Sequence, residues 1–131
     1  AYCSSSIYFS SHSIIEVIQS SSGIPFESPI TEQRLHVLLS AACLTDRYGV
    51  DLHQPVSSLS QGQRQRLALA CALSLEKPLL ILDEALSSVD SKIAQTILSN
   101  LRTFTSLQLV ILITHRQSDV AACDVSIALS S

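Results

Sequence analysis

Two short apolar runs, Leu79-Leu80-Ile81-Leu82 and Leu109 to Ile113, restrict this chain more than anything else in it. Both are too short for a helix and far below the ~20 residues that span a bilayer. Both end in polar residues, Asp83-Glu84 after the first and Thr114-His115 after the second. Runs of this kind suit parallel strands covered on both faces. Between them Asp90 is placed to cap a helix, with Ile93, Ile97, Leu101 and Phe104 falling on one stripe. A third run, Val125–Leu129, reads as another strand. Alternation of strand and helix predicts an α/β architecture with a parallel sheet.

The remainder of the chain supplies helices for that sheet. Residues 1–29 are rich in serine, yet Ile7, Tyr8, Phe9, Ile14, Ile15, Val17 and Ile18 are too apolar for a solvated tether. A loop followed by a short helix near Ser13–Ser20 is expected, with Gly23, Pro25 and Pro29 breaking the chain after it. Thr31 is a suitable N-cap for a helix reaching about Leu44, with Leu35, Leu38, Leu39 and Ala42 on its apolar face. After a loop over Gly49–Ser58, a further helix begins at Ser60 or Gln61 and ends before Pro78. Within it Arg64 and Arg66 read as surface charges.

Composition closes off several function classes. Hydrophobic residues make up 47% of the 131 and charged residues 15%, so there is enough apolar surface to offset ordering entropy. Eight basic against eleven acidic side chains give a net charge of −3, the wrong sign for a nucleic-acid binder. The four cysteines are scattered, with no C-x-x-C pair, and read as reduced thiols in a cytosolic protein. With no Met and a first residue Ala1, the expectation is a fragment or a processed chain.

In parallel α/β sheets, ligands bind beyond the carboxyl ends of the strands. There Asp83 has the chemistry to hold Mg²⁺, directly or through water. Glu84 is able to take a proton from an attacking water, and His115 to donate to a terminal phosphate. Taken alone, Asp83-Glu84 is more often a strand end meeting solvent, and a lone His such as His115 is usually just a loop residue. Ser60-Gln61-Gly62-Gln63 sits at a helix N-terminus, where unpaired N–H groups and the helix dipole favour an anion. Gly62 would let a phosphate approach without a Cβ in the way. By itself this stretch is equally a Ser-capped helix with a polar first turn.

The order and spacing of these segments resemble those of an ATP-binding cassette (ABC) domain of the exporter type, over its C-terminal two-thirds. Leu59–Gln63 resembles the L-S-G-G-Q signature with Gln in third place, and Leu79–Glu84 resembles Walker B followed by the catalytic Glu. Ser87–Asp90 resembles the D-loop, His115 the switch histidine, and Cys123-Asp124 with Val125–Leu129 the Ala-Asp and final strand. Tyr2 to Ile18 resembles the Q-loop region, through Phe9, Ser11, Ile14, Glu16 and Ile18, but with Ser5 where the family has its glutamine. By the same resemblance, Val50–Ser58 is shorter than the family's equivalent and lacks the acidic coupling residue found there.

The resemblance implies a partial P-loop NTPase (RecA-like) parallel sheet with an ABC helical subdomain. Residues 1–58 would be a Q-loop remnant and the helical subdomain. Residues 59–131 would hold the signature helix, Walker B, D-loop and switch His. It implies ATP and Mg²⁺ as ligands, a second cassette as head-to-tail partner, transmembrane domains as the driven element, and the cytoplasmic face of a membrane as location, with this segment itself soluble. By residue, Glu84 and His115 are implied to be catalytic and Asp83 to hold the metal. Ser60, Gln61, Gly62, Gln63 and Asp90 would meet nucleotide or communicate across the dimer. Walker A requires G-x-x-x-x-G-K-[ST]; the glycines here are Gly23, Gly49 and Gly62, and neither Lys77 nor Lys92 follows one. Walker A is therefore expected before Ala1, and the 131 residues alone are expected to be inactive and to expose apolar surface. A degenerate cassette half, lending only its signature surface to a partner, is the alternative.

Overall fold

The computed structural model describes residues 1–4, 12–23, 28 and 30–130. Ser5, Phe9, Ser11, Pro25 and Pro29, which figured in the expectations for the first segment, lie outside the described residues. Three parallel strands, β1 (Tyr2–Ser4), β2 (Leu79–Asp83) and β3 (Leu109–Ile113), form a sheet in the order β1-β2-β3. Leu80 aligns with Val110 and Leu82 with Leu112, while Cys3 aligns with Leu82 on the other side. Helices α1 (Ile14–Ser21), α2 (Glu32–Ala41) and α3 (Gln61–Ser74) precede β2; α4 (Ser91–Arg102) joins β2 to β3, and the short α5 (Gln117–Val120) follows.

Local chemistry sets most of these boundaries. Ser13 and Glu16 form a reciprocal capping box on α1, as Ser60 and Gln63 do on α3. Thr31 accepts from the Arg34 amide, and Asp90 accepts from the amides of Lys92 and Ile93. Helix α2 stops short of Leu44 because Cys43 turns left-handed (φ 52°). The amides of Cys43 and Leu44 then close back on the carbonyls of Ser40 and Leu39, a Schellman-type end on a residue other than glycine.

Helix α3 is the centre of the molecule. It packs on β1, α1 and α2, and Leu67, Leu69, Ala70 and Leu73 are all buried. Cys3, Leu80 and Leu82 from one face of the sheet, with Ile97 and Leu101 from α4, complete a single core. Arg66 departs from the surface position read from sequence. It is buried, its stem crossing the seam between α3 and the end of α2, where Nη1 donates to the Cys43 carbonyl at 2.6 Å. That carbonyl lies just beyond the C-terminus of α2, whose negative end suits a cation, and the guanidinium lies 5.9 Å from the centre of the Tyr48 ring. Burial pulls its pKa down from the usual value.

Two strand expectations need correction. β2 and β3 are covered on one face, not both: Leu109, Ile111 (43% accessible) and Ile113 are exposed, and Leu79 partly so. Val125–Leu129 has the alternating pattern of a strand but pairs with none of the three described strands, and Ile127 is 83% accessible. Alternation chooses which side chains share a face, but a strand exists only through a hydrogen-bonded ladder, and no described strand lies alongside this run to supply one. No helix among the described residues is long and apolar enough to cross a membrane.

Candidate functional site

The polar residues meet at the carboxyl edge of β2 and β3. Beyond Asp83 the chain turns sharply. Glu84 takes a left-handed conformation (φ 52°), and its amide donates to the Ile113 carbonyl at 3.0 Å. A non-glycine residue held there costs roughly 1–2 kcal/mol. The turn ties Glu84 to the end of the neighbouring strand, and its Oε1 reaches Nε2 of His115 at 3.0 Å. The His115 side chain is 93% accessible and the Glu84 side chain 29%, so the pair stands at the surface with its carboxylate half sheltered. Asp83, one residue earlier, accepts from the Tyr2 hydroxyl at 2.6 Å. This bond is the main cause of a Tyr2 pKa above the usual phenol value.

His115 is held by its neighbours. Arg116 makes a bidentate pair with Asp119, Nε to Oδ2 at 2.9 Å and Nη2 to Oδ1 at 3.1 Å. Thr114 donates to the same carboxylate and accepts from the Arg116 amide. Asp119 is 1% accessible, and both its oxygens are thus engaged. The remaining Arg116 nitrogen, Nη1, donates to the Val89 carbonyl at 2.6 Å, tying the His115 segment to the loop that follows Glu84.

The tip of α3 approaches that loop from the other side. Ser60 Oγ accepts from the Gln63 amide at 3.2 Å, and Gln63 Oε1 accepts from the Ser60 amide at 2.9 Å. Both side chains are therefore engaged in the cap, with Ser60 and Gln61 exposed at the tip. Gly62 has a reason other than the one read from sequence: a Cβ there would lie 2.6 Å from the Ser88 carbonyl oxygen. Its absence lets helix and loop backbones touch. One turn on, buried Gln65 donates to Ser87 Oγ at 3.0 Å and accepts from the Ser88 amide at 2.8 Å. Asp90 closes the loop as the N-cap of α4.

Glu84 and His115 are thus brought into contact, Asp83 lies beside them, and Ser60, Gln61, Gly62 and Gln63 share one helix tip joined to them through residues 87–90. Sequence reading missed Gln65, Arg116 and Asp119. For Gln65 a signal existed: it shares a helical stripe with Leu69 and Ala72, and a polar residue on a buried stripe must find partners. Asp119 carried no comparable signal.

For a metal, the chemistry of the donors is the available test. Asp83 offers a hard carboxylate at the strand edge, the ligand type Mg²⁺ takes alongside water and phosphate oxygens. Among the described residues no group of three or more His, Cys, Asp or Glu gathers.

The family model described as "ABC transporter" matches residues 5–87. An ATP-dependent lipid A-core flippase of Bordetella avium is 39% identical over 107 residues, covering 76% of this chain and 18% of that protein. Among solved structures, a bacterial Atm1-family ABC exporter with ATP bound superposes with a TM-score of 0.75 at 27% identity, covering 92% of this chain and 22% of that one. A bacterial ABC transporter cassette solved as a dimer gives 0.69 at 22% identity, over 84% of this chain and 49% of that one, and so shares the fold. The chain spans less than a quarter of the flippase and of the exporter.

Proposed function

We propose, from the premise that the chain belongs to the ABC transporter family, that these residues are the later part of an exporter-type ATP-binding cassette. Its work is ATP hydrolysis coupled to movement of a solute across a membrane. The observation that carries this reading is the 3.0 Å pair between Glu84 and His115 at the carboxyl edge of two parallel strands, with the α3 tip exposed beyond the adjoining loop.

In this reading Glu84 takes the proton from the attacking water, a role worth roughly 10²–10⁴ in rate. His115 donates to the terminal phosphate, and its contact with Glu84 keeps both on the same side of the reacting centre. Asp83 would hold Mg²⁺, directly or through water, the ion supplying positive charge beside the phosphates. Ser60, Gln61, Gly62 and Gln63 face a phosphate bound by a second cassette arranged head to tail, and Asp90 communicates across that junction. The division at 58/59 is one of role, helical part against catalytic part, since the core runs through both. Walker A would lie on a preceding segment, which would also cover the open face of the sheet. Attached transmembrane domains would place the assembly at the cytoplasmic face of a membrane.

The test uses the longer reading frame that carries both this region and a G-x-x-x-x-G-K-[ST]. Glu84→Gln there is expected to lower kcat by roughly 10²-fold or more while ATP binding persists. Unchanged turnover would overturn the assignment. A second reading, a half-cassette lending only its signature surface, is favoured by the exposed α3 tip. It predicts that the 131 residues stimulate the ATPase of a complete cassette and that Ser60→Arg abolishes the stimulation.

A further inference from the structure

The loop Ser87–Asp90 is held from two sides by Gln65 and Arg116, to which no part of the proposed chemistry has been given. From α3, buried Gln65 grips the Ser87 hydroxyl and the Ser88 amide, and Gly62 lies against the Ser88 carbonyl. From the segment after β3, Arg116 grips the Val89 carbonyl, and is itself locked by the bidentate pair with buried Asp119. Ser87 and Ser88 are exposed and Val89 is buried. The loop's own turns bond the Ser87 amide to Glu84 and the Val89 amide to Leu86, and side-chain hydrogen bonds join it to both flanks.

We propose that Gln65 and Arg116 are positioning residues that clamp this loop from opposite sides, making the tip of α3 and the Glu84–His115 pair one mechanical unit. The consequence rests on the proposed function: a phosphate arriving at Ser60–Gln63 would be felt at Glu84 and His115 through two hydrogen-bonded joints within one chain. Replacing Gln65 frees the loop from α3; replacing Arg116 frees it from His115. Coupling of this kind is reciprocal, so loosening either joint should be detected at the other.

Amide hydrogen exchange on the longer protein that carries these residues, without nucleotide or partner, tests the clamp, so its outcome is separate from that of the ATPase experiments. Gln65→Met removes both hydrogen bonds at similar volume and is expected to speed exchange of the Ser88 amide about tenfold. The distinguishing readout is the Arg116 amide, which donates to Thr114 Oγ and is expected to speed up about threefold in the same variant. Arg116→Lys keeps a cation beside Asp119 but loses the reach to Val89, and should speed Ser88 in return. Ser87→Ala, at an exposed position, removes one bond and gives the same pattern more weakly should Gln65→Met fold poorly. Acceleration confined to Ser88, or a uniform rise that includes the amides of α4, would overturn the proposal, since either is what a purely structural glutamine gives.

Discussion

On one face of the sheet Cys3, Leu80 and Leu82 are buried against helices; on the other, Leu79, Ile81, Leu109, Ile111 and Ile113 form an equally apolar row that is largely open. Composition does not separate the two faces, and register places them side by side along the same strands. What separates them is the supply of helices. The segment before β2 delivers α3, with α1 and α2 behind it, to the covered face, and no described element reaches the other. Parallel sheets are almost always covered on both faces. The open row is thus a surface whose sequence suits burial.

Matched substitutions on the two faces should give the largest contrast. Leu80→Ala, at a fully buried position, is expected to cost about 2–5 kcal/mol, a large share of the stability of a domain this size. Ile111→Thr keeps β-branching on the open face and should stay within about 0.5 kcal/mol while improving solubility. Urea titration of the two variants decides the matter. Equal losses would mean that the open face is occupied in solution, by a second copy or by a rearranged C-terminal segment.

A middle-sized effect is expected where α3 meets the loop after β2, on the packed side of the molecule. Gly62→Ala sets a methyl group 2.6 Å from a backbone carbonyl oxygen, which cannot rotate away. A loss of about 1–3 kcal/mol is expected, read as a lower denaturation midpoint. Full tolerance would show that helix tip and loop are separable, and would blur the difference between the packed and the open side.

The covered half was legible because its determinants are local. Ser60, Thr31 and Asp90 announce helix starts, and Leu79–Leu82 with Leu109–Ile113 announce parallel strands, all within a few residues of where they act. Glu84 and His115 could be placed at one edge because both follow strands, and parallel strands put their carboxyl ends together. The errors arose where the answer depends on distant partners. Val125–Leu129 carries strand alternation but no described strand lies alongside it, and β3 carries a two-sided apolar pattern with one side covered. Arg66 looks like any helix-surface cation until α2 ends on a carbonyl beside it. Asp119 needs Arg116, Thr114 and Val89 in place before its burial makes sense.

The smallest effect uses two neighbours on β1 that point to opposite faces. Tyr2 lies on the open side, and its phenol is raised mainly through the hydrogen bond to Asp83. Cys3 lies on the covered side, where burial pushes its thiol from the usual 9.0 to about 12. A group whose pKa is raised by folding holds its proton more tightly in the native state. Its stabilising contribution is therefore complete below the unfolded value and lost as pH climbs through the folded one. The denaturation midpoint should accordingly be flat in this respect up to about pH 9 and fall between about 9 and 12, and Cys3→Ala should make that fall shallower. Cys71, raised by burial to about 11, keeps a remainder of the slope. The same geometry governs reactivity. At pH 8 iodoacetamide should take exposed Cys123 first, with Cys3 on the order of a hundredfold slower, since an opening of about 3 kcal/mol must precede it. Modification of Cys3 as fast as Cys123 in the native chain would mean that its face of the sheet opens freely, and the contrast between the two faces would fall with it.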